Sequence, residues 1–179
     1  MRHASTTKRI ALVVALVAVV VLGGGLLLKK SSQKTTPFQL ETKTAQANKT
    51  WTFPTTDRAG TAITTKLTFS VTTIEKTNQI YVKNKPIRTT PEKRFLVVSL
   101  ELKNDTDKRV YFYSSDFVRL ATSEGKKFEA DFKNPRFEVA PFSTKKDKLA
   151  FLVANEGSTF ELQIGEIAGA KDTIPVTFK

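Results

Sequence analysis

Side chains that commonly act as nucleophiles, bases or metal ligands are scarce in this sequence. Its 179 residues include one His and no Cys, and His3 lies close to the amino terminus. The rest of the chain therefore offers no imidazole base, thiol nucleophile or ordinary zinc ligand set. Without cysteine, this sequence also has no disulfide bond and no lipid attachment through a thioether.

Two other groups of residues could do chemistry, but each has a simpler explanation. Glu129 and Asp131 are two positions apart, so on a strand they would share a face, as paired catalytic carboxylates can. Most such pairs are exposed and inert. Ser143-Thr144-Lys145-Lys146 contains the residue types of a Ser-Lys dyad, but a solvated basic loop explains it as well. We therefore predict no catalytic residue and no enzyme activity.

The acidic turn Asn104, Asp105 and Asp107 is the best candidate for a cation site, because calcium prefers clustered hard oxygen ligands. Asn and Asp also shape turns through local hydrogen bonds, and the adjacent Lys108 and Arg109 disfavour a divalent ion. We interpret this segment as a turn, and predict neither a metal site nor a cofactor.

Exposed aromatic and basic residues are the candidates for binding. If Val110 and Phe112 face a core, Tyr111 and Tyr113 point outward, where amphipathic rings are common in binding surfaces. Basic residues cluster in predicted turns, and a loop cluster could meet an envelope protein, a glycan or an anionic wall polymer. Packing at a sheet edge and scattered solubilising charge are the alternatives. The predicted binding residues are Tyr111, Tyr113, Lys145, Lys146 and Lys148.

The net charge of +12 comes from 29 Lys and Arg against 17 Asp and Glu. Half of it belongs to the first 34 residues, which carry six basic groups and no acid. Those groups flank an apolar segment, and no groove-entering helix or base-stacking motif accompanies the remaining charge. We therefore predict no nucleic-acid binding.

Residues 10–28 are predicted to be a transmembrane anchor. This run of 19 apolar or Gly residues would form a helix about 28 Å long, close to the roughly 30 Å thickness of the hydrocarbon core. A cleaved signal peptide is the alternative, because Arg2, Lys8 and Arg9 form a suitable positive region. The run is longer than a usual signal core and lacks an Ala-x-Ala site, which favours the uncleaved anchor.

Basic residues on both sides of the anchor are balanced, so its orientation follows from the lengths of the flanking segments. A nine-residue tail stays inside easily, whereas long domains translocate largely regardless of charge. We predict a cytoplasmic tail at 1–9, a Thr- and Lys-rich tether at 29–49, and an extracellular domain at 50–179.

Alternating apolar and polar residues predict about eight short strands in the domain, bounded by Asn, Asp, Gly or Pro. Between two of these strands, Ser115–Leu120 could form a short helical segment that crosses from one strand to the next. Regular short strands with polar turns are typical of a sandwich or barrel. The segments are those around Trp51–Phe53, Leu67–Thr72, Leu96–Leu102, Val110–Tyr113, Phe128–Phe132, Leu149–Val153, Phe160–Ile164 and Ile174–Phe178.

The strand Lys93–Lys103 ends at Asn104-Asp105-Thr106, and Glu124-Gly125, Val139-Ala140-Pro141-Phe142 and Lys148–Val153 follow it. This pattern resembles a large bacterial family of immunoglobulin-like extracellular domains of unknown function, similar in fold to the mycobacterial immunoprotective extracellular antigen. The resemblance covers about Thr61 to Lys179, although the family often has Pro-Gly where this chain has Pro141-Phe142.

The resemblance implies an all-β, immunoglobulin-like antiparallel β-sandwich, here preceded by one transmembrane helix. It also implies anchorage at a bacterial cell surface and offers no catalytic residues. We expect a single-pass membrane protein with a non-catalytic extracellular binding module. The alternative is a secreted antigen-like binding protein released by signal cleavage.

Overall fold

Antiparallel strands dominate the fold. The computed structural model describes residues 38–122 and 124–178, and the only helical element in those ranges is a 3-10 turn, Ser114–Asp116. The described strands are β1 (Thr42–Thr56), β2 (Ala62–Thr77), β3 (Gln79–Val82), β4 (Lys85–Arg88), β5 (Lys93–Asn104), β6 (Val110–Phe112), β7 (Val118–Ala121), β8 (Lys127–Phe128), β9 (Phe137–Val139), β10 (Ser143–Ala154), β11 (Thr159–Ile164) and β12 (Asp172–Thr177). The prediction of an all-β antiparallel fold is confirmed.

The predicted tail 1–9 and anchor 10–28 lie outside the described residues. Within the described ranges, no helix is both long and apolar enough to cross a membrane.

The larger sheet has six strands in the order β10-β5-β2-β1-β6-β9. Its long strands form where apolar residues alternate with Thr, Ser and charged residues, since successive side chains of a strand point to opposite faces. In β2, Leu67, Phe69 and Val71 are fully buried, whereas the alternating Thr68, Ser70 and Thr72 are partly exposed to solvent. Alternation therefore fixes which face of β2 meets the core.

The smaller sheet, in the order β12-β11-β7-β8, packs against the first through a shared core. Leu162 and Ile164 of β11 lie in the same buried cluster as Leu149 and Phe151 of β10. A set of Phe rings fills one part of this core, with Phe112 and Phe117 stacked at 4.5 Å between ring centroids. Large aromatic side chains contribute much of the buried apolar area in such a core.

Trp51 links the two sheets at their surface. Its indole Nε1 on β1 donates a hydrogen bond to Oδ2 of Asp172 on β12 at 3.2 Å, and its ring meets Phe69 edge-on at 6.4 Å. The one Trp of the sequence thus joins the sheets through its polar N–H, while its ring packs on its cross-strand partner within the larger sheet.

The first strand begins earlier than the sequence indicated. Thr42–Gln46 pair with Thr73–Thr77 of β2, so residues 42–49 of the predicted 29–49 tether belong to a strand. Thr favours strands, and Ala45 and Ala47 pack partly against the core. These small side chains give little apolar signal in the sequence.

Three further regions differ from the sequence-based strand assignment. The hairpin β3–β4 and the short strand β9 were not predicted, and Ser115–Leu120 forms a 3-10 turn followed by β7 instead of a helical crossing. In the Phe128–Phe132 segment only Phe128 lies in a strand, while Phe132 makes an isolated bridge to Ala150.

Asn104 organises the turn after β5. Its Nδ2 donates to the carbonyl oxygens of Lys108 at 2.8 Å and Ala140 at 3.0 Å, and its Oδ1 accepts from the backbone N–H of Thr106 at 3.1 Å. Because Asn104 is completely buried, these hydrogen bonds replace the bonds to water that its amide group loses on folding. The interpretation of this segment as a turn agrees with that geometry.

Candidate functional site

The hairpin β3–β4 lies on the outer face of the larger sheet, away from the main core. Its two-residue turn, Lys83-Asn84, has positive φ at both positions (49° and 64°), as a type I′ hairpin requires. Ile80 and Ile87 of the hairpin pack against a second cluster formed by Phe95, Val97 and Ala150. This cluster holds the hairpin against the sheet.

The segment 131–135 lies opposite the hairpin. Phe132 exchanges two backbone hydrogen bonds with Ala150 of β10, and its ring meets Phe95 edge-on at 5.5 Å. Further along, Nδ2 of Asn134 donates to Oδ1 of the buried Asp147 at 2.6 Å. Backbone and side-chain bonds thus fix this segment on β10.

A cleft of about 740 Å³ opens between the hairpin and segment 131–135, and we call it the hairpin cleft. Val97 and Ala150 form part of its apolar floor. Tyr81, which is 69% exposed, and Lys83 line its hairpin side, while Lys148 lines it from β10. The cleft size falls within the range of ordinary ligand sites, and it combines an apolar floor with a few polar groups, as such sites do.

The charges on the hairpin cleft are of both signs, but they differ in their partners. Lys133 is paired with Glu129, and the Asp131 carboxylate accepts the backbone N–H of Leu152 at 2.7 Å. Within the described residues, the Lys83 and Lys148 ammonium groups enter no ion pair, and neither does Glu75, the other acidic residue that lines the cleft. The lysines are therefore available to an anionic ligand.

Two of the predicted binding residues, Tyr111 and Lys145, meet at Glu138 of β9. The Tyr111 hydroxyl donates to Oε2 of Glu138 at 3.0 Å, and the Lys145 Nζ donates to the Glu138 carbonyl oxygen at 3.1 Å. Arg109 Nε lies 3.2 Å from Oε1 of the same carboxylate, and Arg136 covers the Tyr111 ring at 5.2 Å. The hydrogen bond to Glu138 is the main cause that raises the pKa of Tyr111 above its ordinary value.

Both oxygens of the Glu138 carboxylate already have partners within the domain. The carboxylate is bonded to both Tyr111 and Arg109, and Lys145 also stacks over the Phe137 ring at 4.9 Å. A ligand would have to displace these contacts, so this cluster acts first as the cover of the β6–β9 sheet edge.

Tyr113 lies outside the group of residues around Glu138. It precedes the 3-10 turn, and the Lys133 ammonium lies 5.9 Å from the centre of its ring. Lys133 in turn binds Glu129, whose carboxylate also accepts a hydrogen bond from the Ser115 hydroxyl at 3.0 Å. The bonds from Lys133 and Ser115 lower the pKa of Glu129.

Lys145, Lys146 and Lys148 do not form one patch. They lie on β10, where side chains alternate, so Lys145 is on the face that carries Leu149 while Lys146 and Lys148 are on the opposite face. Lys146 pairs with Glu101 at 3.5 Å, and only Lys148 reaches the hairpin cleft. The five predicted residues are thus distributed over separate surfaces.

Sequence reasoning missed Tyr81 and Lys83. Their segment, Gln79–Lys85, does alternate, and Asn84 could have indicated a tight turn because Asn tolerates positive φ. The Lys83-Asn84 pair is a weaker hairpin signal than Asn-Gly, so the hairpin was not predicted.

Glu129 and Asp131 were considered as a carboxylate pair, and each has its own partner. Glu129 binds Lys133 and Ser115, whereas Asp131 binds the backbone of Leu152 on β10. Within the described residues, no three His, Cys, Asp or Glu side chains are grouped so that they could hold a metal ion.

Comparison with protein-family models and with curated proteins gives no match. Among solved structures, the chain is similar to a conserved hypothetical protein from Bacillus anthracis, with a TM-score of 0.51 and 13% sequence identity. The match covers 78% of this chain and 99% of that chain. At this identity the likeness shows the fold alone, and membership in the immunoglobulin-like family stays a prediction.

Proposed function

We propose that this chain is a non-catalytic binding module, an immunoglobulin-like β-sandwich displayed outside the cell by the anchor at 10–28. Two antiparallel sheets around one core support the sandwich assignment. The 19-residue apolar run followed by Lys29 and Lys30 supports the anchor. The proposed localisation is the cell membrane, with a single span and an extracellular carboxy-terminal domain.

The hairpin cleft is the proposed ligand site, and an anionic wall polymer is the proposed ligand. One observation carries this proposal: the exposed Tyr81 lines the same cleft as Lys83 and Lys148, two lysines that form no ion pair within the described residues. An exposed aromatic ring offers a flat apolar surface to a sugar, while ammonium groups attract phosphate or carboxylate.

Sedimentation with isolated cell walls tests the ligand. The full-length chain, kept in a polyoxyethylene detergent, is mixed with walls before and after hydrofluoric acid has removed their phosphate-linked polymers. We expect binding to untreated walls only, with about tenfold weaker binding for Tyr81→Ala and for the double variant Lys83→Ala/Lys148→Ala.

The matched control is Lys66→Ala/Lys127→Ala, which removes the same charge from exposed positions outside the cleft. It should retain binding within about twofold, because scattered surface charge adds only a weak, screened attraction. Equal sedimentation with both wall preparations, or equal losses in the two double variants, would contradict the proposed ligand site.

Topology is tested separately on intact cells. A protease added outside should remove the domain while a cytoplasmic marker survives, and the mature protein should retain residues 10–28. A mature amino terminus beyond Gly25 would instead favour the secreted, antigen-like alternative.

A further inference from the structure

Asn78 lies at the base of the β3–β4 hairpin, between β2 and β3, and it is only 8% exposed. Its backbone carbonyl oxygen accepts hydrogen bonds from the backbone N–H of Thr89 at 3.0 Å and from the Thr89 hydroxyl at 3.3 Å. Because Thr89 directly follows β4, this pair closes the hairpin at the end opposite its turn. The backbone of Asn78 therefore fixes the base of the hairpin.

The side chain of Asn78 binds a different part of the chain, residues 39–41, which precede β1 and which we call the entry segment. Its Oδ1 accepts the backbone N–H of Glu41 at 3.0 Å, and its Nδ2 donates to the carbonyl oxygen of Gln39 at 2.7 Å. The backbone N–H of Asn78 also donates to the carbonyl oxygen of Glu41 at 3.2 Å. The carboxamide thus pairs with the entry segment, which is not in a strand, as a peptide group of a neighbouring strand would.

Leu40 lies between the two residues that the Asn78 side chain binds, and it lines the hairpin cleft. Its side chain is 63% exposed, so burial contributes little to its placement. A second bond fixes the entry segment from another direction, because Oε2 of Glu41 lies 2.6 Å from Nη2 of Arg94. Polar bonds of the neighbouring residues, more than packing, therefore hold Leu40 at the cleft.

We propose that Asn78 is a positioning residue of the hairpin cleft. Its backbone fixes the hairpin that carries Tyr81 and Lys83, while its side chain fixes the entry segment that carries Leu40. One buried amide thus sets the position of two parts of the cleft lining relative to each other. The effect on ligand binding rests on the function proposed for the cleft, whereas the placement of Leu40 does not depend on it.

Amide hydrogen exchange tests the bond between Asn78 and the entry segment without any ligand. In the full-length chain, kept in a polyoxyethylene detergent, we expect the Glu41 amide to exchange about tenfold faster in Asn78→Ala, because its acceptor is lost. The Thr89 amide should change by less than about twofold, since its acceptor is the backbone oxygen of residue 78. Unchanged exchange at Glu41 would overturn the inference.

Two further variants sharpen the exchange experiment. Asn155→Ala is the matched control, because it removes a side-chain amide that donates to the carbonyl oxygen of Pro91 at 3.0 Å, outside the hairpin cleft. It should leave exchange at Glu41 unchanged. Asn78→Asp keeps an acceptor for the Glu41 N–H and loses the donor to Gln39, so it should speed exchange at Glu41 by less than Asn78→Ala does. Equal acceleration in Asn78→Ala and Asn155→Ala would overturn the inference.

Spin labels test the placement of Leu40 directly. The sequence has no Cys, so Leu40→Cys/Lys148→Cys gives one unique labelled pair on the hairpin cleft. Double electron–electron resonance should show one narrow distribution of distances between the labels, and a distribution about twice as broad when Asn78→Ala is added. Adding Asn155→Ala should leave the distribution narrow. A distribution of the same width with and without the Asn78 side chain would overturn the positioning role.

A double-mutant cycle on wall sedimentation tests the consequence for binding. If Asn78 acts by placing Leu40, then Asn78→Ala and Leu40→Ala should each weaken binding about threefold, and the double variant should weaken it no further. Independent effects would multiply to about ninefold and would overturn the positioning role. If the original chain binds no walls, the proposed ligand is wrong, and the exchange and spin-label results alone decide whether Asn78 places Leu40.

Discussion

The Tyr111 hydroxyl and the Glu138 carboxylate share a 3.0 Å hydrogen bond across the paired strands β6 and β9. Tyr111 and Glu138 are direct partners in the strand register, so the bond joins side chains on the same face of a cross-strand pair. This bond makes the protonated phenol the favoured form and raises the pKa of Tyr111.

Titration of Tyr111 is therefore expected to occur at a higher pH than that of an ordinary phenol. The folded-state pKa lies above the unfolded value of about 10, so the stabilisation is fully present below pH 10 and is lost as the pH rises through the folded-state pKa. Absorbance titration should show that Tyr111→Phe removes a tyrosine transition that lies above pH 10. Glu138→Gln should move that transition toward pH 10; an unchanged transition would contradict the assigned cause.

Asn104 is expected to be essential for stability because its bonds tie β5 to the segment after β9. Asn104→Ala removes the donor to the carbonyl oxygens of Lys108, Ala140 and the buried Val139, and we expect a loss of about 2 kcal/mol in the free energy of unfolding. The exposed neighbour Asp105 is the control, since Asp105→Ala should cost less than about 0.5 kcal/mol.

Denaturant unfolding of the two variants measures this difference. The same experiment separates the turn interpretation from a calcium site, because calcium binding to Asn104, Asp105 and Asp107 would stabilise the folded chain. We expect added calcium to leave the unfolding midpoint unchanged. A midpoint that rises with calcium in the original chain, but not in Asp105→Ala, would contradict the turn interpretation.

The main strands could be predicted from the sequence because burial on one face leaves a two-residue period. Leu67, Phe69 and Val71 on β2 show this directly. The first residues of β1 could not be predicted in this way, since Thr and Ala give no strong contrast between the two faces of the strand. Short strands such as β9 contain too few residues to show any period.

The candidate site was less predictable because it depends on which strands become neighbours. The side-chain period could have separated Lys145 from Lys146 and Lys148, but not the meeting of Lys145 with Glu138. Likewise, Tyr81 and Lys148 are far apart in the chain and come together only when the β3–β4 hairpin folds onto the outer face of the sheet. Local pattern carries no information on such contacts.

Phe142 is expected to be a position where glycine improves stability. It has a φ of 48°, in the left-handed region that is costly for a side chain with a Cβ, and it is 73% exposed. Phe142→Gly should therefore raise the free energy of unfolding by about 1 kcal/mol, which corresponds to about 3 °C in Tm for a chain of this size. This position lies where the resembling family often has Pro-Gly.

Asn48 provides the comparison for Phe142, because it also has a positive φ (45°) at the bulge in β1. Asn tolerates this conformation better than Phe, so Asn48→Gly should change stability by less than Phe142→Gly does. Phe142→Ala retains the Cβ and should gain little. Equal Tm values for Phe142→Ala and Phe142→Gly would show that backbone conformation is not the cause.

Glu129 is expected to act as a structural anion, because its partners hold it in the charged form. Hydrogen bonds from Lys133 and Ser115 lower the pKa of Glu129, so its stabilisation is present above the unfolded pKa of about 4.3 and is lost as the pH falls through the folded-state pKa. Glu129→Gln should therefore reduce stability at pH 7, by less than about 1 kcal/mol because the side chain is half exposed, and have a smaller effect at pH 3.

Denaturant unfolding at both pH values measures this effect, with Glu124→Gln as the control for an exposed carboxylate that pairs with the exposed Lys126. A general acid of the kind found in paired-carboxylate enzymes needs a raised pKa, the opposite of the direction at Glu129. The proposal of a non-catalytic module therefore predicts that the original chain, Glu129→Gln and Asp131→Asn all leave wall polymers unhydrolysed. A hydrolysis of wall polymers that is lost in either variant would replace the binding module with an enzyme.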